Sequence, residues 1–357
     1  MIEQNDLRAA VAAGIVSEAQ AASLSQLAHA RTGARSDLDP HDEPFELFKG
    51  FNEIFIVVGL IILAVGWSAL NSVFVVFGGS GTIQRAVLSS AVGAGILWFL
   101  AEYFIRNRRM VAPAITLTIF WGINAAVGLT AALSHPFMVA QEDFSSLPLP
   151  LGLSTLAVLL FWARFRVPIA LALVALGAFA VAIVLAAESS GSPNNFEDLF
   201  LLSAGGPFAL ITLGIGTAVF VAAMAFDMSD PHRVTRRAAQ GFWLHVVAAP
   251  ALVNTIALTL LQQDSGLSNL LLAAFLAVIA VIAIIIDRRS FLIAAVGYCV
   301  ALSATLFDGS GAAYVILILG VVLLLLGAYW DRIRARILTL FSGVLPLSKL
   351  PPSQRLS

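Results

Sequence analysis

From residue 54 onward the chain alternates between long apolar blocks and short polar connections. A helix that crosses about 30 Å of hydrocarbon needs about 20 residues at about 1.5 Å each. Ten blocks approach or exceed that length: 54–73, 84–103, 111–133, 147–163, 167–187, 199–226, 241–261, 268–286, 290–306 and 311–330. Apolar and polar residues do not alternate within them, which excludes the strands of a transmembrane β-barrel. The fourth and ninth blocks are short and the sixth is long, interrupted by Gly205, Gly206 and Pro207. Three readings of that interruption stay open: a helix broken as in several transporter folds, a re-entrant entry, or a proline-started helix that follows an external amphipathic turn.

Composition agrees with the blocks. Of 357 residues 59% are hydrophobic and 11% charged, against about 45–50% and about 25% in soluble domains. So few charges cannot clothe a water-facing surface, and the expected fold is an all-α polytopic integral membrane helical bundle of about ten transmembrane helices.

Charge placement sets the orientation. The connections after the second, fourth, sixth and eighth blocks carry Arg106, Arg108 and Arg109; Arg164 and Arg166; Arg233, Arg236 and Arg237; and Arg288 and Arg289. With the two tails included, nineteen of the twenty Lys and Arg fall on one side, and Arg85 alone borders the other. The positive-inside rule therefore predicts that both termini are cytoplasmic. Residues 1–50 contain no apolar run, so the first block is expected to act as an uncleaved signal-anchor in a bacterial inner membrane. Cys299 is the sole cysteine and lies in the ninth block, which leaves no disulfide framework.

The tails divide into three parts. Residues 1–30 read as a cytoplasmic helical hairpin: a helix ending at Gly14, then a second opening with the capping-box pair Ser17 and Gln20. Leu7, Val11, Ile15, Leu24 and Leu27 are expected to form its small apolar core, too small for independent stability, so the hairpin should lean on a protein partner, another protomer or the bilayer. Residues 31–50 form an acidic linker. Residues 331–357 are basic, with Ile333, Ile337, Leu340 and Phe341 at helical spacing among arginines, the pattern of a helix lying in anionic lipid headgroups. Residues 51–330 make up the transmembrane domain.

The sequence of Gly14, Ile15, Val16, Ser17 and Gln20, the run Phe51, Asn52, Glu53, Ile54 and Phe55, and the ending with Trp330, Arg334 and Leu338 to Pro346 resemble bacterial multipass membrane proteins grouped as domain-of-unknown-function family 2157. The resemblance covers mainly the first 70 and last 30 residues. It implies a bacterial inner-membrane protein and supplies no site residues.

Chemistry is sparse. No Asp, Glu, Lys, Arg or His falls near the middle of a block, where it would mark a functional site. Glu53 with Lys49, and Glu102 with Arg106, read as interfacial pairs one helical turn apart. The neutral polar residues at depth are Trp121 and Asn124, Asn254, and Tyr298. Pro250 frees the carbonyl of Val246 one turn before Asn254, so Asn124, His245, Pro250, Asn254 and Tyr298 are candidates for a small polar pocket. The simpler reading has each amide bonded to a neighbouring helix and His245 hydrated at the membrane edge beside Trp243.

Asp227, Asp230 and His232 resemble a metal cluster, but Asp230 before Pro231 also reads as a helix cap followed by proline at the first helical position. His135, Glu142 and Asp143 form a weaker group. The run Gly78 to Thr82 lacks the lysine of a P-loop. Small residues in the second and ninth blocks, such as Gly93 and Gly297, permit close helix packing.

No cofactor, metal site, catalytic residue or nucleic-acid surface is expected. The reading that follows is a non-enzymatic membrane protein, acting as a scaffold or regulatory partner through its cytoplasmic tails. The alternative is a transporter or facilitator for a neutral or lipid-like molecule.

Overall fold

The computed structural model describes residues 4–31, 51–77, 81–136, 138–141, 143–263, 265–306, 310–343 and 345–352. Most of the linker 32–50, Gly78 to Ser80 and Glu142 lie outside the described residues. The rest is helical: α1 (Gln4–Ala12), α2 (Glu18–Arg31), α3 (Phe51–Phe77), α4 (Thr82–Ala101), α5 (Ala112–Leu133), α6 (Met138–Gln141), α7 (Pro148–Phe165), α8 (Ile169–Ser190), α9 (Phe208–Met228), α10 (Arg236–Gln262), α11 (Gly266–Ile286), α12 (Ser290–Leu306), α13 (Ser310–Ala328) and α14 (Trp330–Leu340). Among the described residues there is no strand. The chain is an all-α polytopic helical bundle of the membrane type.

Each of the ten expected spans falls on a helix. Among the described residues, eight (α3, α4 with its continuation, α5 and α7–α11) are long and apolar enough to cross a bilayer. The last two differ from expectation: α12 has only 17 residues, and α13 bends by 83° into α14. The sixth span also begins later than expected. A 3₁₀ turn at Phe196–Leu199 and irregular residues precede α9, which starts at Phe208 directly after Pro207. Gly206 there holds φ +99°. Pro207 thus starts a helix, where its missing N–H costs nothing, and does not break one.

The chain divides into two compact units. The first comprises 1–44, 195–205 and 212–357, and the second 45–194 and 206–211. In the second unit Trp98, Trp121, Phe161 and Phe165 pack ring against ring at 4.5–6.2 Å between centroids, and Trp121 Nε1 donates to the carbonyl of Ala157. Glu53 is buried, and its carboxylate accepts from the free amides of Val111 (3.3 Å) and Ala112 (3.0 Å) at the start of α5. It is a helix cap placed by tertiary contact; the expected pairing with Lys49 lies outside the described residues. Glu102 begins a π-helical turn, Glu102–Asn107, and bridges Arg106 (3.2 Å) and Arg164 (2.8 Å).

The first unit is built around α10, α11 and α12, where Ala249, Val253, Leu272, Leu276 and Phe291 form a buried apolar cluster. The connection after each even-numbered span contains one non-glycine residue in the left-handed region: Arg109, Arg166, Arg233 and Asp287, at φ 53–57°. Such a conformation costs roughly 1–2 kcal/mol, so each residue is held there by something else. Arg166 lies over the Trp162 ring at 4.3 Å, and Arg233 and Asp287 hold each other.

Candidate functional site

Asp227 lies in the last turn of α9, and the neighbouring helix α10 is shaped to receive it. A Cβ at Gly241 would strike the Asp227 carboxylate and lie 3.3 Å from the Ala223 carbonyl. Only glycine leaves room for the acid. One turn deeper on the same face of α10, His245 Nε2 meets Asp227 Oδ2 at 2.9 Å. From the turn between α11 and α12, Arg288 grips the same carboxylate with two nitrogens: Nε reaches Oδ2 at 3.0 Å, and Nη2 pairs with Oδ1. Nη2 also donates to the Ala238 carbonyl, one turn before Gly241. His245 and Arg288 are fully buried, and Asp227 nearly so.

The contacts close into a ring. Asp287, next to Arg288, pairs with Arg233 at 3.0 Å, and Arg233 Nη2 donates to the Asp287 carbonyl at 2.6 Å. The Arg233 amide donates to the Asp230 carbonyl, and the Asp230 amide to the Asp227 carbonyl. The Asp230 side chain accepts from the amides of Val234 (3.2 Å) and Thr235 (2.9 Å) and from the Thr235 hydroxyl (2.6 Å). A buried charge is tolerated beside an opposite one, and here acids and arginines alternate, with Nη1 of Arg288 the one buried guanidinium nitrogen of that residue left without a hydrogen-bond partner.

Both ends of the chain attach to this ring. Trp330, at the start of α14, donates its indole N–H to Asp287 Oδ1 at 2.7 Å. Arg334, one turn on, donates to the carbonyls of Ile284, Pro351 and Pro352. At the other end Leu7, Ala21 and Ala22 of the α1–α2 hairpin bury against Val234, and Arg8 Nε donates to the Val234 carbonyl at 3.0 Å. The capping box of α2 forms as expected, with Ser17 and Gln20 exchanging hydrogen bonds. Of the expected core, Leu7 is buried and Val11 packs against it, while Ile15, Leu24 and Leu27 are 76%, 45% and 51% exposed and Ala21 and Ala22 take their place. The hairpin leans on its own chain.

Other expected residues fall elsewhere. Asn124, in the second unit, donates to the Ser90 carbonyl at 2.9 Å, the interhelical use. A Cβ at Gly93 would lie 2.8 Å from its oxygen. Asn254 is half-buried on α10, Pro250 is exposed on the same helix, and Tyr298 is half-buried against the apolar cluster of the first unit. His245 is not a hydrated interfacial group but the most enclosed histidine described. Asp230 is not the N-cap residue of α10, which is Thr235, whose hydroxyl accepts from the Arg237 amide; the Asp230 carboxylate nevertheless accepts from the Ala238 amide in the first turn of α10 at 3.4 Å. Asp227 and Asp230 point to different partners, and among the described residues no three His, Cys, Asp or Glu side chains gather to hold a metal ion.

Nothing in the sequence marks Asp227, Arg288, Asp287 and Trp330 as partners of one another or of His245. The usable signal was Gly241 one turn before His245, a small residue and a polar one on a single helix face. No family model, no curated protein and no solved structure matches the chain.

Proposed function

We propose that this is a multi-pass protein of a bacterial inner membrane, with both termini cytoplasmic, that works as a scaffold or regulatory partner through its N-terminal hairpin. The observation that carries this reading is the manner in which the hairpin is held. Arg8, Leu7, Ala21 and Ala22 fix it to the loop before α10, while Ile15, Leu24 and Leu27 face outward. A rigidly mounted helix pair with an uncovered apolar stripe presents a surface for a protein partner.

The bend into α14 supports a second contact, with anionic headgroups. Arg332 and Arg336 are exposed beside Leu340 and Phe341 on a helix set across the direction of α13.

Cross-linking and pull-down from membranes tests the main reading. The full chain is compared with a variant carrying Ile15→Ser, Leu24→Ser and Leu27→Ser. Selective loss of partners in the variant is expected, and identical partner sets in both refute the docking role. Orientation is checked separately with Cys299→Ser as background and a single cysteine at Ala19 or Thr339. Each is expected to react with an impermeant maleimide only after the membrane is opened.

A further inference from the structure

The buried ring contains one imidazole, His245, and nothing in the proposed docking role uses it. Asp227 Oδ2 can only accept, so His245 Nε2 carries the proton of that bond. In the neutral ring Nδ1 is then a bare acceptor. It is buried and has no hydrogen-bond partner, and the imidazole packs edge-on against Phe220 and Phe291 at 5.6 and 5.7 Å between centroids. A proton arriving at Nδ1 would therefore find no acceptor, and its charge would be enclosed by aromatic side chains.

The surrounding charges are divided: the Asp227 carboxylate attracts a second proton on the ring, and the two arginines, Arg288 and Arg233, oppose it. From α9 His245 faces Asp227, from the α11–α12 turn Arg288, and from the loop before α10 Arg233 lies in electrostatic range. Phe291 is what α12 brings to the ring. Counted over the cluster, Asp227, Asp230 and Asp287 balance Arg233, Arg288 and Arg334 when His245 is neutral. Protonation leaves one buried positive charge in excess and weakens the hold of Arg288 on a carboxylate that both cations now share.

We infer that His245 is a proton-binding site that governs docking of the N-terminal hairpin. Asp227 anchors the ring, the ring shapes the loop through Asp230 and Arg233, and that loop presents the Val234 carbonyl and side chain on which Arg8 and Leu7 rest. Charging His245 loosens the ring at Asp227 and releases the hairpin. The inference concerns docking within the chain, so it stands or falls independently of any protein partner.

Spin labels on Ala19 and Ser229 in a Cys299→Ser background, with the full chain in lipid nanodiscs, report the hairpin-to-loop distance. At pH 7.5 one narrow distance is expected. Between pH 7 and 5 a longer, broad population should appear, the released-to-docked ratio rising by up to about tenfold per pH unit, the limit for one linked proton. His245→Gln keeps a donor toward Asp227 and cannot be charged, and His245→Phe fills the aromatic pocket. At least one of them should stay docked at both pH values, and His232→Gln should respond as the parent does. A parent that does not respond, a parent-like response in either His245 variant, or loss of the response in His232→Gln overturns the inference. So does release of both His245 variants at pH 7.5, which would make the residue purely structural.

Discussion

The pairing of Asp227 with Arg288 can be measured by a double-mutant cycle. Asp227→Asn is isosteric and leaves an amide oxygen for His245 Nε2, but strips Arg288 of its counter-ion in a site where the guanidinium is fully buried. Arg288→Met leaves the carboxylate with His245 as its only remaining side-chain partner among those described. Removing one member of a buried pair costs about 3–5 kcal/mol, because the other charge stays desolvated. At about 2 °C per kcal/mol for a chain of this length, either single change should lower the unfolding midpoint by about 6–10 °C. The double variant leaves no uncompensated charge. What remains is the bond to the Ala238 carbonyl, whose loss costs about 1–3 kcal/mol, or about 2–6 °C. The assay is thermal unfolding in detergent followed by tryptophan fluorescence. A double variant less stable than both singles, near the sum of their losses, would refute the claim that these two charges hold each other.

Four further outcomes follow from named contacts. Gly241→Ala should destabilise by about 1–3 kcal/mol, although alanine is the better helix former by about 1 kcal/mol, because the new methyl enters the space of the Asp227 carboxylate; the same unfolding assay reads it. Trp330→Phe keeps an aromatic ring but removes the donor to Asp287, with an expected loss of about 1–3 kcal/mol and faster proteolysis of the α14 end. Glu53→Ala frees two amides at the start of α5 and should cost about 1–2 kcal/mol, seen as faster hydrogen exchange at residues 111–115. By contrast Arg106→Ala, on an exposed pair, should change stability by less than about 1 kcal/mol.

Much of the helical framework was legible residue by residue, since a span is recognised by a run of neighbours. Where the reading went astray, the cause was a contact between distant segments. Leu7 and Val11 take their expected places in the hairpin core, but Ala21 and Ala22 fill it in place of Ile15, Leu24 and Leu27, because Val234 comes close enough to cover small residues. Glu53 caps a helix that starts 59 residues later, a contact that no local spacing announces. His245 looked like a membrane-edge histidine for lack of a visible partner.

Apolar length and arginine placement add up along the chain, so residues in their order suffice to call this an all-helical membrane protein and to predict its orientation. The ionic ring has no such local signature. Asp227 and Arg288 are 61 residues apart, Asp287 and Trp330 are 43, and Arg8 reaches Val234 across 226. Asp227, Asp287, Arg288 and Trp330 are ordinary polar or aromatic residues at the ends of helices until the bundle closes. Then exclusion of water turns them into obligatory partners, because a buried charge is stable only beside its opposite.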